Sequence, residues 1–510
     1  MKRRTLLFAF VDVFIVFFAF LIAAYFKTGK EKAIFNYYWM PFLIFESTWI
    51  ISSFLFKKYK LQKLKNKSNN LFNIIKSNLF VLFTITFVIF FASLSYSRLM
   101  IVITVVIATV IEGAISYFYL LDKEMSSGME QVGEWEIRQE KKDKNKIGKE
   151  FPVIDDTTPK GKFYEKLKKL IVDEIGSNPF KFIRKYARLT TDDALVISTT
   201  TKFNLTNQPK ANYKYIINLK RINDIQYINK FFEAVNAKLE MGGIYINNVE
   251  TYTDRKKRLL KKYPPILNWI YYFFDFLVKR VMPKLVFTKK FYFLLTGGRN
   301  RVMSRAETLG RLYSCGFELI DEKFIDQQFY FAARKIDIPV FDASPTYGPL
   351  IKLKRYGKNG EILGVYKMRT MHPFSEYLQA YVYEKSQLQE GGKFKDDFRV
   401  TSSGKLMRKF WIDELPMILN VLKGEMKIVG VRPLSEHYFN LYTDELKEQR
   451  LKSKPGLIPP FYVDMPITLE EIMASEMRYL KAHEKHPLLT DINYFFKAFY
   501  NILFKKARSK

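Results

Sequence analysis

The sequence predicts a membrane-anchored α/β protein with four N-terminal transmembrane helices, a degenerate Rossmann-like α/β domain and a C-terminal mixed α/β domain. Four apolar stretches of bilayer-spanning length open the chain, and strand patterns alternate with helical patterns in its middle. A length of 510 residues also exceeds what one ordinary core accommodates. The predicted divisions are an anchor at 1–121, a charged linker at 122–160, a Rossmann-like domain at 161–335 and a C-terminal domain at 336–510.

The charge balance indicates an acidic partner. Lys and Arg number 83 against 51 Asp and Glu, which gives a net charge of +32. Such an excess favours nucleic acid, anionic lipid or phosphorylated substrates. Nucleic acid is the disfavoured partner, because many of the lysines fall in a loop between two apolar stretches. The single cysteine, Cys315, excludes an intramolecular disulfide and a cysteine metal cluster and fits a reducing compartment.

The apolar stretches predict a multi-pass protein of the cytoplasmic (inner) membrane. Each is about 20 residues long, which matches the thickness of a bilayer core. They lie near residues 6–26, 36–56, 71–95 and 99–121. The loop at 57–70 carries six lysines and no acidic residue. Because basic loops stay in the cytoplasm, we expect this loop, both chain ends and everything after residue 121 to face the cytoplasm.

Three acidic residues, Asp12, Glu46 and Glu112, lie within the apolar stretches, where an ionised carboxylate is costly. Two interpretations are open. The acids form a proton or ion path, or they make structural contacts that are protonated, paired inside the bundle or close to the headgroups. No basic partner is in sight within the stretches, and the structural interpretation is favoured.

The middle of the chain predicts a Rossmann-like layer, because strand patterns alternate with helices. The strand patterns are LVIST (195–199), YIINL (215–219), GIYINN (243–248) and FYFAA (329–333). A helix between the second and third patterns is predicted to end at Gly242 and Gly243. The segment resembles the C-terminal half of a class I methyltransferase domain. No G-x-G-x-x-G turn follows an early strand, so we predict a degenerate, non-catalytic domain and disfavour a membrane-bound methyltransferase.

Residues 264–295 form a densely aromatic segment followed and interrupted by basic residues. Its apolar core, 266–278, has thirteen residues and is broken by Asn268 and Asp275, so it is too short to span a bilayer. An interfacial or re-entrant membrane segment and a buried domain helix are both open. The tail, 491–510, is an aromatic amphipathic helix for which the same two interpretations are open.

The most specific pattern lies in the last third of the chain. Its three runs are YGPLIKLKRYGKNGEILGVYKMRTM (347–371), FRVTSSGKLMRKFWIDELPMILNVLKGEMKIVGVRPL (398–434) and KPGL (454–457). Ser402 and Ser403 suit a helix start, and Asp413 is predicted as the N-cap of a helix that ends at Gly424. A carboxylate nucleophile at the positive end of a helix would be held ionised and could form an acyl-phosphate.

Basic residues suited to phosphate accompany the Asp413-Glu414 pair. Arginine forks bind phosphate oxygens in pairs and offset the charge that develops during phosphoryl transfer. The predicted phosphate- or substrate-binding residues are Arg355, Lys367, Arg369, Arg399, Arg408 and Arg432.

These runs resemble the bacterial sugar transferases, also called polyprenol-phosphate phosphoglycosyl transferases, and the whole chain resembles their large, multidomain, membrane-anchored branch. The resemblance implies transfer of a sugar-1-phosphate from a nucleotide sugar, usually a UDP-sugar, to polyprenyl phosphate, with UMP as the other product and Mg²⁺ as cofactor. It implies that 336–510 is the catalytic domain, that Asp413 is the nucleophile, and that Glu414 helps with Mg²⁺ and charge. The product would initiate a surface polysaccharide or glycolipid.

The sequence also departs from the family pattern. No apolar helix precedes Ser344-Pro345, Gly-Val-Arg-Pro stands at 430–433 in place of Gly-Pro-Arg-Pro, and IPPFYVDMP follows KPGL. An alternative function is therefore a catalytically silent membrane scaffold that binds polysaccharide-assembly enzymes through its α/β domain. The intact Asp413-Glu414 pair favours the enzyme.

Overall fold

The computed structural model describes residues 2–28, 31–59, 67–91, 97–143, 161–189, 191–341, 348–385 and 397–505. The chain divides into two compact units, Met1–Glu124 and Met125–Lys510, and each is described by itself. The domain boundary predicted near residue 335 lies inside the second unit and stays a prediction.

Long helices make up the described part of the first unit. They are α1 (Lys2–Thr28), α2 (Glu31–Leu55), α3 (Lys67–Phe91) and α4, which starts at Arg98 and continues to Asp143. Three helices contain stretches long and apolar enough to cross a membrane, namely Phe8–Phe26, Asn70–Phe91 and Arg98–Lys123. The described apolar part of α2 is the shorter Trp39–Leu55. The protein is therefore membrane-anchored, and the fourth span stays a prediction.

A buried polar cluster ties these helices together at Lys58. Its Nζ lies 3.0 Å from Asp12 Oδ2 and 2.8 Å from Glu112 Oε1. The Tyr59 hydroxyl donates to the same Asp12 oxygen at 2.6 Å. The sequence offered no basic partner for the membrane acids, and this expectation is wrong. Lys58 lies after the end of α2 at Leu55, as its place in the loop at 57–70 predicted, but the turn carries its side chain to Asp12 and Glu112.

The three membrane acids differ in their surroundings. Asp12 and Glu112 share Lys58, a pairing inside the bundle that fits the structural interpretation. Glu46 is buried, and neither of its carboxyl oxygens has a hydrogen-bond partner within the described residues. Pairing within the bundle therefore explains two of these carboxylates without an ion path.

Helix α4 replaces part of the predicted linker. It runs without a break to Asp143, so the expectation of an irregular segment is wrong for residues 122–143. This stretch contains Glu, Lys, Gln and Met, which favour helix, and it contains no proline. The rest of the predicted linker, 144–160, lies outside the described residues.

A five-stranded mixed sheet forms the first part of the second unit. Its strands are β1 (Ala194–Ile197), β2 (Tyr213–Asn218), β3 (Leu239–Val249), β4 (Phe317–Ile325) and β5 (Gln328–Lys335). The order is β1-β2-β3-β5-β4, with the first three strands parallel and β5 antiparallel to both of its neighbours. The accompanying helices are α5 (Lys162–Ile175), α6 (Ser177–Tyr186), α7 (Phe203–Thr206), α8 (Ile228–Lys238), α9 (Tyr252–Lys262), α10 (Leu267–Phe276), α11 (Val286–Thr296) and α12 (Arg305–Ser314).

Each of the four predicted strand patterns overlaps a strand, which confirms the α/β character of this region. The antiparallel pair β4 and β5 makes the sheet mixed, and the finer Rossmann-like assignment stays a prediction. The predicted Gly-Gly helix stop is wrong. Helix α8 ends at Lys238, because Leu239 already pairs with Tyr213 of β2, and Gly242 and Gly243 lie within β3.

The aromatic segment 264–295 forms α10 and α11 with a π-helical turn (Leu277–Val281) after the first helix. Polar contacts hold its inner face, since Arg255 Nε donates to Asp275 Oδ2 at 2.6 Å and Asn268 Nδ2 donates to the Leu260 carbonyl at 3.0 Å. Its outer face is apolar and exposed. The exposed side chains of α10 include Leu267, Trp269, Ile270, Phe273 and Phe274.

The C-terminal part of the second unit holds two small sheets. The hairpin strands are β6 (Leu350–Tyr356) and β7 (Ile362–Met368), and β8 (Lys427–Val429) pairs in parallel with β9 (Gly456–Ile458). The helices are α13 (Gln379–Lys385), α14 (Ser402–Lys409), α15 (Ile418–Leu422), α16 (Glu436–Asn440), α17 (Asp444–Leu451), α18 (Phe461–Asp464), α19 (Leu469–Lys485) and α20 (Pro487–Phe504).

Candidate active site

Asp413 and Glu414 lie in the turn between α14 and α15. Helix α14 begins at Ser402, as predicted, with the Thr401 hydroxyl accepting a hydrogen bond from the Gly404 amide at 2.9 Å. After α14 the chain reverses at Trp411, whose φ is +54°. Glu414 is the N-cap of a 3-10 turn that leads into α15, so the predicted N-cap role of Asp413 is wrong.

The dipole of α15 contributes little to the potential at Asp413 and Glu414. Helix α15 spans only Ile418–Leu422 after a 3-10 turn, because Pro416 and the stop near Gly424, whose φ is +72°, leave little room for regular helix. The positive potential at Asp413 comes from basic side chains instead.

Strand β7 and α15 hold this turn in place. The Met368 amide donates to the Asp413 carbonyl at 2.9 Å. Asn420, which is fully buried, receives a hydrogen bond from the Tyr366 amide at 3.0 Å and donates to the Gly364 carbonyl at 2.9 Å. Sequence reasoning missed Asn420, and its only signal was a polar residue in the middle of the run LPMILNVL. A buried amide therefore fixes the carboxylate pair against the hairpin.

Three of the predicted basic residues converge on the carboxylate pair. Lys367 Nζ lies 2.8 Å from Glu414 Oε1, and Arg432 Nη2 lies 3.5 Å from the same oxygen. Arg408 donates from Nε and Nη2 to the Thr370 hydroxyl at 3.1 and 2.9 Å, and it interacts electrostatically with Asp413. The side chains of Arg408 and Arg432 remain exposed, so both are available to an anionic substrate.

The surroundings change the ionisation of the site. Burial raises the pKa of Asp413 above its ordinary value; Lys367 opposes this rise, Glu414 adds to it, and Arg408 opposes it. Burial also lowers the pKa of Lys367, although its contact with Glu414 acts in the other direction. Asp413 is thus a poorly solvated carboxylate beside cations, which favours attack on an approaching electrophile.

The other three predicted basic residues point elsewhere. Arg399 binds Asp397 and Gln379, with its Nη2 2.7 Å from Asp397 Oδ2. Arg369 Nε donates to the Gly348 carbonyl at 3.1 Å, and its Nη1 lies 3.6 Å from Glu376. Arg355 donates to the neighbouring Lys354 carbonyl. The sequence alone could not show that these arginines face away from the carboxylate pair while Arg408 faces it. The direction of a side chain depends on strand register and on nearby carboxylates.

Residues from the divergent C-terminal run also reach the site. The Trp411 indole donates to the Tyr462 hydroxyl at 2.8 Å. Burial and then the nearby Glu414 carboxylate raise the pKa of Tyr462, while Arg432 opposes the rise, so its hydroxyl stays protonated. The sequence analysis noted IPPFYVDMP only as a departure and assigned no role to this tyrosine. The only feature of the sequence that could have indicated Tyr462 is its position as an aromatic residue soon after KPGL.

A buried ion pair supports the Arg432 backbone. Arg450 donates both to Glu476 and to the Arg432 carbonyl, and the side chains of Arg450 and Glu476 are each 5% exposed. No pattern in the sequence indicates this contact, since the three residues lie far apart along the chain.

The carboxylate pair is the candidate metal centre. Within the described residues, no group of three or more His, Cys, Asp or Glu could hold a metal ion. Mg²⁺ is commonly held by one or two carboxylates together with substrate phosphates, a donor set that Asp413 and Glu414 could complete only with a bound substrate.

Exposed apolar side chains surround the carboxylate pair on α14, the turn and α15. We call this set the apolar rim, and its members are Leu406, Phe410, Ile412, Leu415, Ile418, Leu419 and Leu422. A polar, cation-lined centre inside an apolar surface suits a substrate with an anionic head and an apolar tail.

Fold and site together describe a membrane-anchored α/β protein in which a pair of adjacent carboxylates lies beside basic side chains. Residues 340–505 match the family described as bacterial sugar transferase. The C-terminal third of the chain is therefore similar to the bacterial sugar transferases.

Several known proteins are similar to part of this chain. The chain is 42% identical over 113 residues to galactosyl transferase CpsE of Streptococcus agalactiae, covering 22% of this chain and 25% of the relative. It is 38% identical to the exopolysaccharide production protein ExoY of Sinorhizobium fredii, covering 20% and 48%. It is 34% identical to the undecaprenyl-phosphate galactose phosphotransferase of Salmonella typhimurium, covering 20% and 23%. The chain thus spans about a quarter to a half of the length of these relatives.

Proposed function

We propose that the protein transfers a sugar-1-phosphate from a nucleotide sugar, a UDP-sugar, to polyprenyl phosphate. The products are polyprenyl-diphospho-sugar and UMP, and the reaction initiates a surface polysaccharide or glycolipid. The observation that supports this most is the buried Asp413 carboxylate beside Lys367 and Arg408, within residues of the sugar transferase family. The names of the relatives, which include an undecaprenyl-phosphate galactose phosphotransferase, support the same substrates.

The proposed chemistry has two displacements at one phosphorus. An Asp413 carboxylate oxygen attacks the sugar-bearing phosphorus of the nucleotide sugar, the bridging P–O bond breaks, and UMP leaves with that oxygen. An oxygen of polyprenyl phosphate then attacks the phosphorus of the acyl-phosphate, which frees the Asp413 carboxylate and forms the diphosphate. Lys367, Arg408 and Arg432 offset the charge on the phosphate oxygens in both steps.

We propose Mg²⁺ as the cofactor, held by Glu414 and the neighbouring Asp413 together with substrate phosphate oxygens. When bound, Mg²⁺ would neutralise charge on the diphosphate and polarise it. Lys367 and Arg432 contact Glu414 in this structure, and they would turn toward the phosphates when the carboxylate holds the ion.

The site is proposed to work at the cytoplasmic face of the inner membrane. The apolar rim beside Asp413 supports contact with a lipid acceptor, and the lysine-rich loop at 57–70 supports a cytoplasmic orientation. A reporter fused after residue 125 measures the orientation, and periplasmic activity alone would contradict it.

The direct test uses membranes that contain the full-length protein, a panel of UDP-sugars and undecaprenyl phosphate. We expect one or more sugars to give continued UMP release that depends on the lipid, because polyprenyl phosphate must free Asp413 in the second displacement before another donor can react. If no nucleotide sugar releases UMP in a lipid-dependent manner, the enzyme proposal fails and the scaffold is favoured.

We also propose that α10 and α11 touch the bilayer surface. Asp275 and Asn268 face inward, so the outward side chains of α10 are uniformly apolar. Lys256 Nζ lies 4.8 Å from the centre of the Trp269 ring, a pairing of cation and aromatic ring that suits an interface with anionic headgroups.

This contact can be measured by site-directed spin labelling, because burial raises the pKa of Cys315 to about 12 and keeps this thiol unreactive. In full-length protein in anionic vesicles, we expect a nitroxide attached through Phe273→Cys to be reached by oxygen more than by a water-soluble nickel complex. The control label at Lys257→Cys, on the exposed side of α9, should show the opposite preference. Equal accessibility of the two labels to the nickel complex would contradict the proposed contact of α10 with the bilayer.

A further inference from the structure

We propose that the five-stranded sheet region positions the phosphate-binding Arg408 through the segment 370–374, with Arg280 and His372 as the positioning residues. This inference rests on the proposed function for the role of Arg408. It assigns a task within the proposed reaction to a region that the sequence predicts to be non-catalytic.

The first link runs from Arg408 to Thr370. Two guanidinium nitrogens of Arg408, Nε and Nη2, donate to the Thr370 hydroxyl. The Thr370 carbonyl in turn accepts from the Thr401 amide at 2.9 Å, at the start of the helix that carries Arg408. A Cβ at Gly404 would overlap this carbonyl, so the segment lies directly on α14. A shift of Thr370 therefore moves the arginine.

The second link runs from the segment to Arg280. The His372 amide donates to the Arg399 carbonyl at 2.8 Å, and its Nδ1 lies 3.3 Å from Arg280 Nη2. A guanidinium can only donate, so Nδ1 is the acceptor and the ring proton is on Nε2. Both side chains are buried, and burial followed by the Arg280 charge lowers the pKa of His372 to about 4. The imidazole is thus neutral, as this hydrogen bond requires.

The third link fixes the end of the segment on α12. A Cβ at Gly310 would overlap the Phe374 carbonyl, and the Arg311 guanidinium lies 4.4 Å from the centre of the Phe374 ring. Arg311 is held by Glu307, which is fully buried and also binds Lys284. Although burial opposes its ionisation, Lys284 and Arg311 lower the pKa of Glu307 to about 2. The buried network of Glu307, Lys284 and Arg311 therefore supports the segment 370–374 at Phe374.

The two sides of the segment make the inference specific. One side contacts residues 399–408, which lead into and form the helix that carries Arg408, and the other side contacts α12 and Arg280. Lys367 and Arg432 are held by Glu414 instead, so loosening the segment should disturb Arg408 while the other cations keep their places.

The test compares His372→Phe, which fills the space but cannot accept a hydrogen bond, with His372→Asn, whose side-chain oxygen can replace Nδ1. Both are made in the full-length protein, with Lys214→Gln as control, since Lys214 is an exposed partner of Asp193 far along the chain from the segment. Hydrogen exchange of the peptide covering 397–410 and steady-state kinetics of UMP release are measured on each.

We expect His372→Phe to accelerate exchange in 397–410 and to lower kcat about tenfold, with the KM for the nucleotide sugar changed less than about twofold. His372→Asn should restore both, and Lys214→Gln should resemble the wild type. Unchanged exchange in well-folded His372→Phe protein would overturn the inference, whether or not the protein is an active transferase. If exchange changes as expected but no sugar supports UMP release in the wild type, the link between the regions stands and the proposed function fails.

Discussion

Replacing Asp413 with Asn is expected to abolish turnover while the protein folds and inserts normally. Asn keeps the shape of the side chain but lacks the anionic oxygen that attacks phosphorus. Because the pKa of Asp413 is raised by burial, its ionised form is less favourable in the folded than in the unfolded protein. Removing the charge therefore costs no stability. We expect lipid-dependent UMP release to fall by at least about 10³-fold.

The control variants for this prediction lie in the same part of the chain. Asp444→Asn removes a carboxylate whose side chain is 99% exposed and should leave activity unchanged. Glu414→Gln should be severely impaired through weaker handling of metal and charge, yet could still accumulate a phosphosugar on Asp413 when donor is present and lipid is absent. Near wild-type turnover in folded Asp413→Asn protein would refute both the nucleophile and the proposed mechanism.

Replacing Lys58 with Met is expected to unfold or misassemble the membrane bundle. Lys58 Nζ is the shared partner of Asp12 and Glu112, and it also donates to Asn78 Oδ1 at 3.3 Å. Without the ammonium, two carboxylates would be left in a low-dielectric interior, and breaking a buried pair in this way costs about 3–5 kcal/mol. We expect a large drop in the temperature at which detergent-solubilised protein loses its monodisperse elution profile.

The neighbouring Lys57, which is exposed, provides the matched control, since Lys57→Met removes the same charge outside the cluster. A triple variant, Lys58→Met with Asp12→Asn and Glu112→Gln, should regain much of the lost stability, because no buried charge is left without a partner. If Lys58→Met and Lys57→Met behave alike, the cluster does not stabilise the bundle.

Elements with a local cause could be predicted from the sequence. The apolar stretches, the strand patterns of the middle region and the start of α14 depend on residues close together in the chain, and the structure has helices or strands at each. The adjacency of Asp413 and Glu414 needs no folding at all. Such features follow from hydrophobic periodicity and capping alone.

Features that depend on distant contacts could not be predicted. In the sequence, Lys58 is one of six lysines in a basic loop. Only the packing of α1 and α4 shows that it pairs with Asp12 and Glu112. Arg399 and Arg408 stand nine positions apart in similar surroundings, yet Asp397 binds the first and Thr370 the second. Asn420 is a lone polar residue in an apolar helix, and its hydrogen-bond partner on β7 is distant in the sequence.

The apolar rim beside Asp413 affects how the proposed transferase activity should be assayed. If Leu415, Ile418 and their neighbours rest in lipid, the acceptor reaches the carboxylate by lateral diffusion in two dimensions. Its effective concentration is then its mole fraction in the bilayer, and the total volume of the assay does not enter. Adding inert phospholipid at a fixed amount of polyprenyl phosphate would slow the reaction by surface dilution, whereas adding buffer would dilute only the nucleotide sugar.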